Sequence, residues 1–473
     1  MLFKTKKQYF YFQASTNPVN NIHKTNCMKK LSIVFCFVSF LNMTAQDHFS
    51  GINMSNRVGI LNAGMNPAEL SNLSSKYEIN IFSASVNASN NKIGFGDIVN
   101  GENLEDLLFT GNTPVNMRID AEVYGPGFAM RVNKWAFGFT TKAAAKLNLI
   151  DIDPQLGAAI NTGNLIGSSS ISNDYNQRLN GTSWGEVGFS AARNVFENEN
   201  HKFNVGATLK LLFPGSYTNL GLDQFQGTIN TLGAEAFLNN TRATMNIAYS
   251  GNFKDGFTDF NNYSESVFGK LNGAAADFGI NYQWKDQDSY KVNAGLAVRN
   301  IGTMTFKDDA NSSTNYALNI QSTFSNPNGL ALSQFQNTTN LQEVETILLN
   351  DGYLTKTASS KNFKVTLPTV FSAYADIKVI PKFFVALYTQ QKLKDDTSDN
   401  QVTTQNVVSI TPRFSLKNYE IYSSWSDNEI SGITGGVGFR VYGFYMGSSS
   451  IVTALASDSK QADFYVGYRL GLK

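Results

Sequence analysis

Apolar side chains recur at every second position through long stretches of this chain. Across 135–149 the odd positions carry Trp135, Phe137, Phe139, Ala143, Ala145, Leu147 and Leu149, while Gly138, Thr140, Lys142, Lys146 and Asn148 fill the even ones. The same two-residue period runs through 203–213 (Phe203, Val205, Ala207, Leu209, Leu211, Phe213), 278–284 (Phe278, Ile280, Tyr282, Trp284) and 290–298 (Tyr290, Val292, Ala294, Leu296, Val298). Successive strand side chains point to opposite faces, so each segment is apolar on one side and polar or small on the other. Repeated segments of about ten residues with this pattern mark a transmembrane β-barrel. The pattern predicts strands over 77–87, 116–132, 135–149, 183–195, 202–213, 274–284, 290–303, 365–378, 382–393, 403–415, 419–426, 432–441, 444–452 and 462–472. The fold class is therefore all-β, a transmembrane antiparallel barrel of about 14 strands.

The connections supply an independent check. Long gaps (88–115, 150–182, 214–273, 304–364) alternate with tight ones (Asn133-Lys134, 196–201, 285–289, 379–381). Barrels of bacterial outer membranes pair short periplasmic turns with longer outer loops. An even strand count leaves both termini on the periplasmic side. One strand shifts register: Ile119, Ala121 and Val123 are odd, Phe128, Met130 and Val132 are even, and Gly125-Pro126-Gly127 lies between. Proline flanked by glycines belongs at a bulge or kink, so 116–132 is read as one bent strand. Within the long gaps, 229–250 is predicted as a loop hairpin, and 103–109 and 341–349 carry helix-period apolar residues that could cap the barrel or recruit an outside partner.

The amino terminus reads as an address. Met28-Lys29-Lys30, an apolar stretch over 31–41 and a small residue, Ala45, before Gln46 have the layout of a secretory signal. The apolar stretch is far short of the roughly 20 residues of a spanning helix. The expected organisation is an upstream extension and signal over 1–45, an N-terminal segment over 46–76 and the barrel over 77–473. Cleavage after Ala45 would leave 428 of the 473 residues and remove Cys27, Cys36 and six lysines. The mature chain then has no cysteine, and its 32 Lys+Arg stand against 37 Asp+Glu, a net charge of −5. That balance excludes a disulfide scaffold and a nucleic-acid partner. A mean hydropathy of −0.22 is too polar for a helical membrane bundle, and 16% charged residues is well below the roughly 25% of soluble domains.

Chemistry is sparse. His23 lies in the leader, and His48 and His201 belong to no metal-spaced cluster. The glycine-rich run 434–438 sits in an alternating strand with no helix after it, unlike a phosphate loop. Catalytic and metal-ligating residues, and cofactors, are expected to be none. The polar faces carry more information: Asp120, Glu122, Glu186 and Asp277, and Lys142, Lys146, Lys210 and Arg299, are predicted to face inward. Such charges line a polar pore, hold a ligand carboxylate, or pair across the lumen; buried charges need partners, and similar numbers of each sign favour pairing.

Gly64-Met65-Asn66-Pro67-Ala68 resembles the Asn-Pro-Ala element of FadL-type long-chain fatty-acid transporter barrels. Further similarity lies in 205–210, in 277–282, and in 295–299 followed by Asn300-Ile301-Gly302, spaced as in FadL/PorV-like barrels of Bacteroidota. The nearest resemblance is to an uncharacterised family of such barrels and spans most of 50–473. It implies a 14-stranded barrel in the outer membrane with an inward N-terminal plug over 46–76, containing Asn66, Pro67 and Ala68. The first functional expectation is a non-enzymatic barrel that binds or moves small hydrophobic molecules, with Gly125, Pro126 and Gly127 at a lateral gap facing outer-membrane lipid. The alternative is an accessory subunit or anchor of a secretion, gliding or assembly machine, meeting a protein partner through its outer loops. A water-filled porin is the third, and a plug argues against it.

Overall fold

The structure, a computed structural model, describes residues 48–55, 57–161, 168–173, 175–233, 235–251, 269–287, 289–307, 311–324 and 326–472. The predicted signal lies outside them. From 77 onward the chain forms a transmembrane antiparallel β-barrel. Its wall closes where Tyr77–Asn90 pairs with Gln461–Leu472, in register from Tyr77 opposite Leu472 to Ser89 opposite Gln461. Between these two, neighbours in sequence are neighbours in the wall, and the ring has about 14 staves.

Most stave boundaries follow the alternation within a few residues, and the departures have physical causes. The predicted bent strand is two strands, Val115–Tyr124 and Gly127–Val132, because Pro126 offers no amide to the ladder. Residues 365–369 leave the stave that begins at Val370; a separate strand, Asn362–Thr366, pairs higher on Tyr290–Lys307. Residues 403–406 precede the strand Val407–Ser415, and the stave from Phe444 ends at Ser448, followed by a helix over Ile451–Ser457. Two staves overshoot. Gln177–Glu197 and His201–Leu232 run past the barrel rim, and the latter turns into Glu235–Ser250, the hairpin predicted at 229–250.

That overshoot founds a second sheet at the end with the long connections. Its order is Ser168–Ser172, His201–Leu232, Glu235–Ser250, Ser312–Ile320 and Leu354–Ser360, all antiparallel. The helix Leu341–Asn350, capped by the Asn340 side chain on the Glu343 amide, packs its apolar face on this sheet. Phe225, Ile229, Ile247, Leu318, Leu341 and Leu348 share that core. The predicted helix at 103–109 is also present, as Leu104–Leu108.

The outer surface of the barrel is apolar. Phe128, Phe137, Phe139, Phe189, Leu209, Phe278, Ile280, Leu296, Ile410, Phe439 and Phe464 all stand exposed on it. Monomeric soluble proteins do not carry a continuous apolar skin of this extent, whereas a barrel in hydrocarbon requires one. At the short-turn end the skin ends in ringed side chains: Trp135 stacked on Phe137, Trp284 beneath Lys291, and Tyr419 against Tyr442. Among the described residues no helix is long and apolar enough to cross a membrane.

Candidate functional site

The interior is built from three parts: charged inward side chains, a buried N-terminal segment, and an infolded loop. The strand period places all eight predicted charges on the inner face, and seven of them pair there. Lys146 Nζ lies 2.8 Å from Asp120 Oδ2 across adjacent staves. Lys142 Nζ lies 3.4 Å from Glu122 and 3.6 Å from Glu186. Lys210 Nζ lies 3.7 Å from Glu186 and 2.8 Å from Asp277. Glu186 therefore bridges two lysines, and the chain of charges crosses five staves. Arg299 differs: its guanidinium donates to Gly64 O at 2.9 Å, Gln390 Oε1 at 2.5 Å and the Tyr388 hydroxyl at 3.2 Å, all neutral acceptors.

The N-terminal segment runs through short helical turns, Ile52–Met54, Leu61–Met65 and Pro67–Asn72, nearly all buried. Asn66 organises it. Its Oδ1 accepts the Ala68 amide at 2.9 Å, and its Nδ2 donates to Ile280 O at 2.9 Å on the wall. Three glycines on consecutive staves make room for this. A Cβ on Gly206 would lie 2.5 Å from the Ala68 nitrogen, one on Gly279 1.9 Å from Asn66 Oδ1, and one on Gly295 2.6 Å from Asn66 Nδ2. Glu69, 3% exposed, is anchored by Tyr374 Oη–H and by Asn281 and Asn293 amides at 2.8 Å each. Predicted residues Asn66, Pro67 and Ala68 thus sit in a groove of small residues on the inner wall.

From the end with the long connections, residues 393–406 fold inward. Asn400 O accepts the Thr366 amide at 3.0 Å, and the Val402 amide donates to Thr366 O at 2.8 Å. Arg178 clamps this loop to the far wall, with Nη2 donating to Thr397 O at 2.6 Å and Nε 3.2 Å from Asp399. Arg118 donates to the Thr403 hydroxyl at 3.1 Å. Between loop and segment remain two small polar cavities of about 90 and 70 Å³, both bordered by Gly64, Glu122, Tyr124, Lys142 and Arg299.

The wall is interrupted beside these cavities. Ser83 pairs with Tyr124 and Asn80 with Gly127, leaving Ile81 and Phe82 without ladder partners on that side. The same strand bulges at Ile81 against its other neighbour. Side chains patch the break: Asn80 Nδ2 donates to Gly125 O at 2.9 Å, and the Thr141 hydroxyl donates to Pro126 O at 3.0 Å. Tyr124, the last residue before the break, packs its ring 5.9 Å from Phe49 of the N-terminal segment, while Ile60 reaches the inner side of Gly127.

Sequence reasoning passed over several interior residues. Arg118, Arg413, Glu420 and Arg440 lie at inward parity in predicted strands, so the period that located Asp120 points to them as well. Arg413 pairs with Asp376 at 2.5 Å and Arg440 with Glu420 at 2.6 Å, all four nearly fully buried. Glu69 gives little local signal, since apart from Asn72 its partners are more than 200 residues away in the chain. Of the histidines among the described residues, His48 Nδ1 meets the Ser85 hydroxyl at 2.9 Å and His201 Nδ1 the Tyr282 hydroxyl at 2.8 Å.

The model of a family of unknown function, DUF5723, matches residues 67–449. No curated protein matches the sequence. Solved structures with a similar fold include a deltaS2S3 mutant of the TodX monoaromatic hydrocarbon channel (10% identity, 86% of this chain and 93% of that one, TM-score 0.45). The Ralstonia pickettii toluene transporter TbuX matches at 12% identity over 87% and 93% of the two chains, TM-score 0.36. A Pseudomonas aeruginosa FadL homologue matches at 7% identity over 91% and 100%, TM-score 0.40.

Proposed function

The chain belongs to the family of unknown function DUF5723, and from its geometry we propose that it is a non-enzymatic outer-membrane barrel that binds or moves small hydrophobic molecules. The short turns and both ends of the barrel face the periplasm, and the overshooting sheet faces outward. The segment over 46–76 plugs the lumen. One observation carries the reading: the break in the wall, the interior cavities and the N-terminal segment all meet at Tyr124. A hydrophobic solute has little reason to stay in a chamber lined by ion pairs. An opening at 125–127 faces hydrocarbon, where such a solute is stable.

The test is to close that opening. Gly125→Thr with Pro126→Val restores an amide donor and β-favouring side chains. Gly127 is left alone, because a Cβ there would press on the Phe139 backbone O at 3.0 Å, whereas one on Gly125 meets, at 2.7 Å, the Thr141 hydroxyl, which can turn aside. Uptake of a radiolabelled monoaromatic hydrocarbon into proteoliposomes is expected to fall to the rate of empty vesicles, while heat-resistant migration of the folded barrel is unchanged. Uptake at the wild-type rate by the folded variant removes the lateral route.

A second reading has its own observation, the sheet with a separate apolar core beyond the rim. A folded platform of this kind suits an accessory subunit that docks a protein partner. Purification in mild detergent separates the two: stoichiometric companions favour the platform, and a lone barrel favours solute binding.

A further inference from the structure

The short-turn mouth of the barrel carries a group of side chains that neither the interior charges nor the wall break uses. Arg131 and Lys202 stand at the short-turn ends of two inner faces separated by the strands Trp135–Ile152 and Gln177–Glu197, and Lys134 sits on the two-residue turn between Gly127–Val132 and Trp135–Ile152. All three border one recess of about 320 Å³. The single carboxylate at its edge, Glu197, is engaged by Lys285 at 2.8 Å. The recess therefore holds a surplus of positive charge.

Two buried polar atoms at the same recess have no partner among the described residues. One is the hydroxyl of Ser71, 4% exposed, and the other is Oδ1 of Asn194, 5% exposed. Buried polar atoms are nearly always satisfied by protein, water or ligand. Both residues line the cationic recess, one with an unmet donor and the other with an unmet acceptor. Their complement is an anion rich in acceptor oxygens that also carries an O–H group. Trp135, exposed on the lipid-facing skin, forms one edge, so the recess opens beside the membrane interface.

We propose that this recess binds a phosphate group bearing a hydroxyl, as in a phosphate monoester or the glycerol-phosphate headgroup of an anionic lipid. Arg131 and Lys202 supply charge-assisted hydrogen bonds, Lys134 closes over the anion, Ser71 donates and Asn194 accepts. The site also touches the N-terminal segment. Lys202 Nζ donates to Ser71 O and Asn72 Oδ1, each at 2.9 Å, and Arg131 Nη1 donates to Leu73 O at 3.2 Å. An anion between these cations relieves their repulsion and firms the anchorage of residues 71–73.

The experiment uses the detergent-purified mature chain. Glycerol 3-phosphate and inorganic phosphate are titrated by calorimetry, and retention of phosphatidylglycerol against phosphatidylcholine is read by native mass spectrometry. Lys134→Gln leaves the contacts to residues 71–73 intact, and Ser71→Ala removes only the hydroxyl; Lys356→Gln, on the far sheet, is the control. Wild type and control are expected to bind one equivalent, and Lys134→Gln to weaken it about tenfold. Selective retention of phosphatidylglycerol without binding of the soluble probes assigns the site to a lipid headgroup; the converse assigns it to a soluble phosphate ester. Absence of both, or binding that Lys134→Gln and Ser71→Ala leave unchanged, overturns the proposal. None of these outcomes depends on solute uptake, so the site and the lateral route stand or fall separately.

Discussion

Replacing Gly279 and Gly206 with valine is expected to drive the N-terminal segment out of the lumen while the barrel stays closed. The Gly279 side chain would begin 1.9 Å from Asn66 Oδ1 and that of Gly206 2.5 Å from the Ala68 nitrogen. The second contact is with backbone, so no rotamer relieves it. Overpacking a filled site costs roughly 1–3 kcal/mol per position. Expulsion also forfeits the Asn66 bond to Ile280 O and the buried Glu69 contacts to Asn281 and Asn293, all of which hold only while the segment is seated. The wall does not share this cost, because its ladders run continuously through both glycines. In planar bilayers the wild type is expected to give no steady conductance and the double variant discrete open steps. A folded double variant that stays closed would show that the segment is not what blocks the lumen.

The second large effect concerns the charges that remain. Lys146 and Asp120 are 5% and 1% exposed at the side chain and 2.8 Å apart. Among the described residues Lys146 has no other carboxylate within the 4.0 Å that defines an ion pair. Asp120→Ala strands a buried ammonium, and breaking such a pair costs about 3–5 kcal/mol. Replacing both, as Asp120→Val with Lys146→Met, fills similar volume without any charge and is expected to recover most of that loss. Urea unfolding in micelles measures both. Equal destabilisation by the single and double variants would mean that the pair contributes net stability rather than matched burial.

The barrel was legible because its physics is periodic. Lipid outside and charge inside impose one rule on every stave, so 135–149 or 278–284 alone reveals which face is which. The same parity placed all eight inward charges, and it reaches Arg118, Arg413 and Arg440 once applied without exception. What stayed hidden depends on contacts between distant segments. The second sheet is built from strands inside long gaps, and its core joins Ile229 from one gap to Leu318 and Leu348 from another. The infolded loop at 393–406 was invisible because Thr397 and Asn400 are ordinary loop residues until Arg178 and Thr366 meet them. The glycine seat lay between these extremes. Gly206, Gly279 and Gly295 each stood in a motif that drew notice, but only the fold shows that their missing side chains make room for Asn66-Pro67-Ala68.

The central claim is that hydrophobic solute meets this protein at the wall break, from the membrane side. A diazirine-bearing monoaromatic probe, photolysed with the protein in proteoliposomes and mapped by peptide mass spectrometry, tests this directly. Labelling is expected to concentrate on Ile81, Phe82, Tyr124 and Thr141, and to disappear in the Gly125→Thr/Pro126→Val variant. Labels spread evenly around the apolar skin, at Phe278, Ile410 and Phe464 as strongly as at Phe82, would contradict the account.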